Sequence, residues 1–371
     1  MRVLVIGLSD NPGGVESFIK SYYSMLYQDI SFDFMVFTQT CVDYNWYKNH
    51  NSNIFFIQHA QFKDPLLYRK EIKEFFRLYG SNYDAIWFNC CDLANIGVIM
   101  KFAKKSKIKK RIVHAHNNKL MQEGKRYYFY KIMHLFNKYK IKKLATDFWA
   151  CSDLAGEFFY TPSIRKTSSY HIIKNAIHTK KFKYNENTRV VYRKQLNLEN
   201  KIVIGHVGRF HFQKNHVFLI DIFNQLHTIN DKYHLLLIGQ GEEMDGIKSK
   251  VSNLSLENNV TFLGVRDDVA NLMQAMDIFL FPSVFEGLGI VLIEAQTSGL
   301  MCFTSKKVVP HNVDITGLVK FLDLKETAQQ WAKEIISVDL NQDRQNTYQL
   351  IMQNGYDIVQ ASKNLNKLFL E

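Results

Sequence analysis

No run of about 18 apolar residues free of charge occurs in this 371-residue chain, so no segment reads as a membrane span. The N-terminal VLVIGL is too short for a secretory signal core and leads straight into a glycine loop. The five cysteines lack metal-ligand spacing, and the adjacent Cys90 and Cys91 make a poor disulfide pair, which fits a reducing cytoplasm. There is no internal repeat and no low-complexity tract. Acidic residues are scarce in one half only. Residues 1–175 hold 26 Lys+Arg against 14 Asp+Glu, whereas the remainder holds 21 of each. All of the net charge of +12 therefore lies in the first half. That half calls for a negatively charged partner: nucleic acid, an anionic membrane surface or an acidic substrate.

What is present is ample core. An apolar fraction of 46% with 22% charged residues describes a globular protein, and the length favours two domains over one. RVLVIGL, FDFMVFT, NIFFIQH, DAIWFNC, KRIVHAH and DFWACS are short apolar runs, as buried parallel strands require. Helical spacing separates most of them, as in VESFIKSYYSMLYQ and LLYRKEIKEFFRLYG. The alternation begins again with KIVIGHVGRF, YHLLLIGQG, NVTFLGV, DIFLFPS and LMCFTSK. Strand–helix alternation twice over predicts an α/β protein of two doubly wound parallel sheets. The polar stretch at 175–200 is the expected seam.

Ligands of such sheets bind at the carboxyl ends of strands. Three glycine-bearing loops fall there: SDNPGGVES, IGQGEEMD and PSVFEGLGIV. Any one glycine could merely supply a tight turn; the shared position of all three carries the weight. SVFEGLGIVLIEA sets Glu286 and Glu294 eight residues apart around a Gly-x-Gly, with Glu294 inside an apolar helix. A carboxylate there is costly to bury without a partner. The helix entered after Gly287, Leu288 and Gly289 would offer free N–H groups to a diphosphate. Arg209 and Lys214, just after a strand, would add charge-assisted donors, although exposed cations elsewhere are ordinarily only that. Glu294 could then accept ribose hydroxyls, and Glu286 would face sugar hydroxyls.

These residues resemble the E-x7-E signature of retaining glycosyltransferases of the GT-B fold, family 4. NPGGVESFI, VHAHNN, IIKNAIHTKKF, GHVGRFHFQKNH, LIGQGEE, FLGVRDDVANLMQAMDIFLFPS and GYDIVQASKNLNKLFL match in order along the whole length. The resemblance is nearest to bacterial members that build capsular polysaccharide and exopolysaccharide. It implies two Rossmann-like domains facing a central cleft, an acceptor- and membrane-facing one over 1–175 and a nucleotide-sugar-binding one over 176–354. It also implies a last helix, 355–371, that crosses back to the first domain. Gly13 and Gly14 would meet the donor diphosphate and acceptor, and His116 would lie beside the donor sugar. Arg209 and Lys214 would neutralise the leaving group. Gly239 and Gly241 would line the nucleotide site, Val265 and Arg266 would meet the base, and Glu286 and Glu294 would hold sugar and ribose.

The implied reaction is transfer of a hexose or N-acetylhexosamine from a UDP-sugar to a lipid-linked or growing polysaccharide. Configuration would be retained, with no metal or other cofactor. Asp-x-Asp, the divalent-metal signature of the other large glycosyltransferase fold, is absent, and the same-face pair His114 and His116 has no evident third ligand. The chain departs from many relatives at Asn175-Ala176-Ile177-His178, where they carry Asn-Gly-Ile-Asp. Two other readings keep the fold: a UDP-sugar 2-epimerase, and an inactive scaffold. Within the basic half, KKSKIKKR (104–111) and KRYYFYKIMHLFNKYKIKK (125–143) interleave cations with aromatics. A membrane-interface helix has that composition, but the aromatics could also pack inward. No recognition motif supports nucleic acid. The expected location is the cytoplasm, peripheral to the inner face of the cell membrane.

Overall fold

The computed structural model describes every residue except 12, 123, 287, 341 and 342, and the side chain of residue 125. The chain divides into two compact units, Met1–Ala176 with Ile358–Glu371, and Ile177–Asp357.

The first unit is a seven-stranded parallel sheet: β1 (Arg2–Ile6), β2 (Ser31–Val36), β3 (Ile54–Phe56), β4 (Ala85–Cys90), β5 (Lys110–Ala115), β6 (Asp147–Ala150) and β7 (Tyr170–Ile172). Their order is β3-β2-β1-β4-β5-β6-β7. Residues alternate between two helix-covered faces. Val3, Val5 and Trp87 join one apolar cluster, while Leu4, Ile6, Ile86 and Phe88 join the other. Burial on both faces is why these strands read as continuous apolar runs. The C-terminal helix Ile358–Leu370 packs on this unit, its Ile358, Leu365 and Phe369 joining the cluster of Trp87 and Trp149.

The second unit repeats the plan with six strands: β8 (Ile202–Val207), β9 (Tyr233–Ile238), β10 (Val260–Gly264), β11 (Ile278–Phe281), β12 (Met301–Ser305) and β13 (Val319–Leu322). The order is β10-β9-β8-β11-β12-β13. Leu235, Leu236 and Leu237 are all fully buried, so this strand too is covered on both sides. Each sheet has one topological switch, between β1 and β4 and between β8 and β11. Crevices form at the carboxyl ends of strands at such switches. The loops after β1, β8 and β11 carry Gly13 and Gly14, Arg209 and Lys214, and Glu286 in turn.

Two strands lay outside the sequence reading. Strands β7 and β13 span three and four residues, and both are only partly buried. Each sets a polar residue, His171 or Lys320, among its apolar ones, so neither reads as a continuous apolar run.

Candidate active site

In the second unit the loops after β8 and β11 are clasped together. Val284 N–H donates to the Gln213 carbonyl at 2.7 Å, and Gln213 Nε2 donates to the Phe285 carbonyl at 2.9 Å. Asn215 Nδ2 donates to the Pro282 carbonyl at 3.1 Å. Asn215 caps the helix His216–Ile229 with φ of +58°, a left-handed conformation that asparagine tolerates. This clasp brings Lys214 Nζ to 2.6 Å from Glu286 Oε1. The ammonium also lies 4.7 Å from the Phe281 ring centroid, at the end of β11. Both partners are largely shielded, at 18% and 8% side-chain exposure, so the ion pair is held in a restricted geometry. A cation fixed in this way is preorganised for an incoming anion.

Behind it lie His206 and His216, fully buried, with ring centroids 4.7 Å apart. Burial lowers both imidazoles, His216 to about 4, so neither adds positive charge beside Lys214.

Gly289 caps the helix Ile290–Thr297 with φ of +72°, a conformation that glycine adopts without cost. The first N–H groups of such a helix have no acceptor in the preceding turn of helix. Leu288 is buried; Gly287 lies outside the described residues. Glu294 follows on the same helix. Its carboxylate is partly buried and makes no hydrogen bond or ion pair among the described residues, and burial pushes its carboxyl up to about 7. A recessed acceptor with no protein partner is suited to a ligand's hydroxyl groups.

The loop after β9 packs against the loop after β8 with no room for side chains. A Cβ on Gly239 would stand 2.1 Å from the Gly208 carbonyl oxygen, and one on Gly241 would stand 2.2 Å from that of Phe210. These glycines permit backbone contact. Arg209 is half-exposed, with Nη2 3.2 Å from Glu242 Oε2. His211 Nε2 approaches the other oxygen of Glu242 at 3.5 Å. The structure thus places Arg209 with Glu242 and Lys214 with Glu286. Val265, at the end of β10, is 69% exposed, and Arg266 makes a two-pronged bond to Asp268 that holds that carboxyl down to about 2.

In the first unit Gly13 caps the helix Gly14–Leu26, whose Phe18 lays its ring edge-on against both His114 and His116. The two imidazoles share one face with centroids 4.3 Å apart. His116 follows β5 and its Nε2 lies 2.9 Å from Asn89 Oδ1. Asn89 Nδ2 donates to the Ile6 carbonyl, so Oδ1 accepts and His116 Nε2 carries the proton. Burial lowers His116 to about 3, which keeps the ring neutral. Among the described residues, no group of three or more His, Cys, Asp and Glu is arranged to hold a metal.

Sequence reasoning missed Asn89, Gln213, Phe281 and Glu242. Only Asn89 left a signal, a lone amide inside the apolar run AIWFNC. The others act through contacts between loops far apart in sequence.

Comparison with known proteins now bears on this geometry. Residues 189–356 match the family model of glycosyl transferases group 1. The match spans most of the second unit. Over its full length the chain is 27% identical to a Bacillus subtilis protein named "Putative glycosyltransferase EpsF", covering 99% of this chain and 95% of that relative. A 139-residue stretch is 31% identical to an Escherichia coli galactosyltransferase, UDP-Gal:alpha-D-GlcNAc-diphosphoundecaprenol alpha-1,3-galactosyltransferase, over 36% of each chain. Among solved structures, Anabaena HepE with UDP and glucose superposes with a TM-score of 0.76, covering 100% and 99% of the two chains at 20% identity. The WaaG glycosyltransferase of lipopolysaccharide biosynthesis gives 0.68 at 17% identity. At such identities the superpositions speak for the fold alone: two Rossmann-like units, the GT-B fold. The chain is thus similar to group 1 glycosyl transferases over residues 189–356 and shares the GT-B fold.

Proposed function

We propose that this glycosyltransferase moves a hexose or N-acetylhexosamine from a UDP-sugar to a lipid-linked or growing glycan in exopolysaccharide or capsule synthesis. On this reading it retains anomeric configuration, needs no metal, and works at the inner face of the cell membrane. The carrying observation is Glu294: a recessed carboxylate with no protein partner among the described residues, on a helix whose N-terminus adjoins the Lys214–Glu286 pair. Diphosphate on the helix N–H groups and Lys214, ribose on Glu294 and sugar on Glu286 would satisfy each of these groups. The acceptor class draws support from the Escherichia coli relative, whose name specifies a diphosphoundecaprenol-linked acceptor. EpsF, similar over nearly the whole chain, supports the setting.

The chemistry follows from the charges. The bond from the anomeric carbon to the diphosphate oxygen breaks, and the acceptor hydroxyl oxygen bonds to that carbon on the same face. The hydroxyl proton passes to the departing phosphate oxygen. Negative charge grows on the diphosphate, where Lys214 and Arg209 stabilise it in place of a metal ion. Neutral His116, whose Nε2–H donates to Asn89 Oδ1, keeps Nδ1 as an acceptor for a sugar hydroxyl.

Calorimetric titration with UDP, GDP and ADP in EDTA, on wild type and Glu294→Gln, tests the donor site. UDP-selective binding that the variant weakens is expected. No nucleotide binding, or no effect of the variant, would remove the assignment and leave a scaffold as the better reading.

A further inference from the structure

The helix Gly124–Lys140 is inside out. Its only fully buried side chains among those described are His134 and Asn137. His134 accepts from the Leu93 N–H through Nδ1 and donates to the Phe158 carbonyl through Nε2. Asn137 Nδ2 donates to the Leu93 carbonyl at 2.7 Å. The large apolar side chains face solvent instead. Tyr128, Ile132 and Tyr139 are 68%, 66% and 73% exposed, and Phe129, Leu135 and Phe136 about half exposed. Positions 128, 132, 135 and 139 lie on one stripe of a helix. Leaving such a stripe in water forfeits the main driving force for helix burial, so something apolar covers it.

The charge identifies what covers it. The helix contains no acidic residue, and between residues 101 and 143 there are fifteen Lys and Arg against one acid, Glu123. Two copies of such a face would repel each other. An anionic bilayer takes the aromatic stripe at headgroup depth while Lys131, Lys140, Lys142 and Lys143 reach its phosphates. Packing fixes the helix from beneath through polar bonds, which leaves the stripe of Tyr128, Ile132, Leu135 and Tyr139 available.

We propose that the outward face of Gly124–Lys140 is the membrane-docking surface of this enzyme, lying flat in the interface of anionic lipid. The inference deepens the membrane location proposed above by naming the surface. It also gives a role to a cavity of about 920 Å³ in the first unit, which Arg126, Phe129 and Tyr130 of the same helix line together with Phe62, Ser9 and Asn89. Phe62 packs edge-on against Phe129 at 5.0 Å, joining the cavity rim to the stripe. Docking therefore sets this rim at the lipid surface, where a lipid-linked acceptor resides.

The test is flotation of the whole protein with vesicles of phosphatidylcholine alone and of an equimolar mixture with phosphatidylglycerol. Binding to the mixture, weakened by salt, is expected. Tyr128→Ser, Ile132→Ser and Tyr139→Ser combined should lower partitioning by at least about tenfold. Lys131→Gln and Lys140→Gln should each lower it by about fivefold. UDP binding should be unchanged in all of them, which also reports that they fold. No binding of wild type to the mixed vesicles overturns the proposal. Equal binding by the serine variant overturns this surface while sparing the membrane location, and a Lys104→Gln, Lys105→Gln variant released in its place would indicate the basic run instead. A wild-type dimer that the serine variant dissociates assigns the face to a second copy and refutes lipid. Loss of UDP binding in wild type would sink the donor-site reading and leave this one standing.

Discussion

Replacing Glu294 with Gln should make the second unit more stable and a worse nucleotide binder at once. Burial raises the Glu294 carboxyl from 4.5 to about 7. A group raised in the folded state contributes its full stability below the unfolded value, and that contribution is lost as pH climbs through the folded value. From pH 4.5 to 7 the wild type thus loses stability at this position, and above 7 it carries the cost of an ionised, unpartnered carboxylate. At about 1.36 kcal/mol per pH unit, a displacement of about 2.5 gives about 3 kcal/mol at pH 8. Gln keeps the shape without the charge. For a unit of this size, about 2–4 °C per kcal/mol predicts a melting gain of about 6–12 °C at pH 8. At pH 4 the two proteins should melt alike, since both side chains are neutral there. Loss of a charge-assisted hydrogen bond to ribose, worth about 1.5–3 kcal/mol, should weaken UDP about 10- to 100-fold. Differential scanning calorimetry at the two pH values reads the first effect, and UDP titration the second. Equal melting at pH 8, or a gain that persists at pH 4, refutes the buried-charge reasoning. An unchanged UDP affinity refutes only the ribose contact.

Lys214→Ala should lower turnover of an accepted UDP-sugar by about 10²–10³, measured as UDP release, because the fixed cation at the diphosphate is gone. Arg209→Ala, at a half-exposed position, should change stability by less than about 0.5 kcal/mol and weaken UDP about tenfold, so denaturation and calorimetry separate its role from packing. Gly241→Ala drives a methyl against the Phe210 carbonyl 2.2 Å away and should cost about 1–3 kcal/mol in urea denaturation. His116, lowered from 6.5 to about 3 by burial, contributes stability that is lost as pH falls from 6.5 toward 3. His116→Gln should remove about 3 kcal/mol of that loss between pH 6.5 and 4, read as a flatter dependence of the urea midpoint on pH. An unaltered slope would show that His116 ionises freely in the folded protein.

The two sheets were legible in the sequence because burial on both faces writes itself as apolar runs, RVLVI and YHLLLI among them. The glycines of the site were legible for a related reason. Backbone contact at Gly239 and Gly241 leaves no alternative residue, and the left-handed cap at Gly289 favours glycine, so the constraint appears directly as Gly. Pairings between loops left no such trace. Nothing in HFQKNH announces that Lys214 will sit on Glu286 rather than beside Arg209, because the Gln213 and Asn215 clasp that decides it acts across about 70 residues of chain. Edge strands β7 and β13 were lost because His171 and Lys320 interrupt their apolar runs.

The helix Gly124–Lys140 shows the limit from the other side. Its composition left two directions open for the aromatics, inward or outward, since apolar spacing marks a face without saying what lies against it. The structure decides by the polar pair: His134 and Asn137 can reach the Leu93 backbone only if the face that carries them turns in. Two hydrogen-bonding side chains three residues apart thus turn six apolar ones outward. That exchange opposes the stability of the unit in water, and it becomes favourable only where the outer face meets something other than water. In a chain whose positive charge is confined to this unit, a negatively charged apolar interface meets both conditions together.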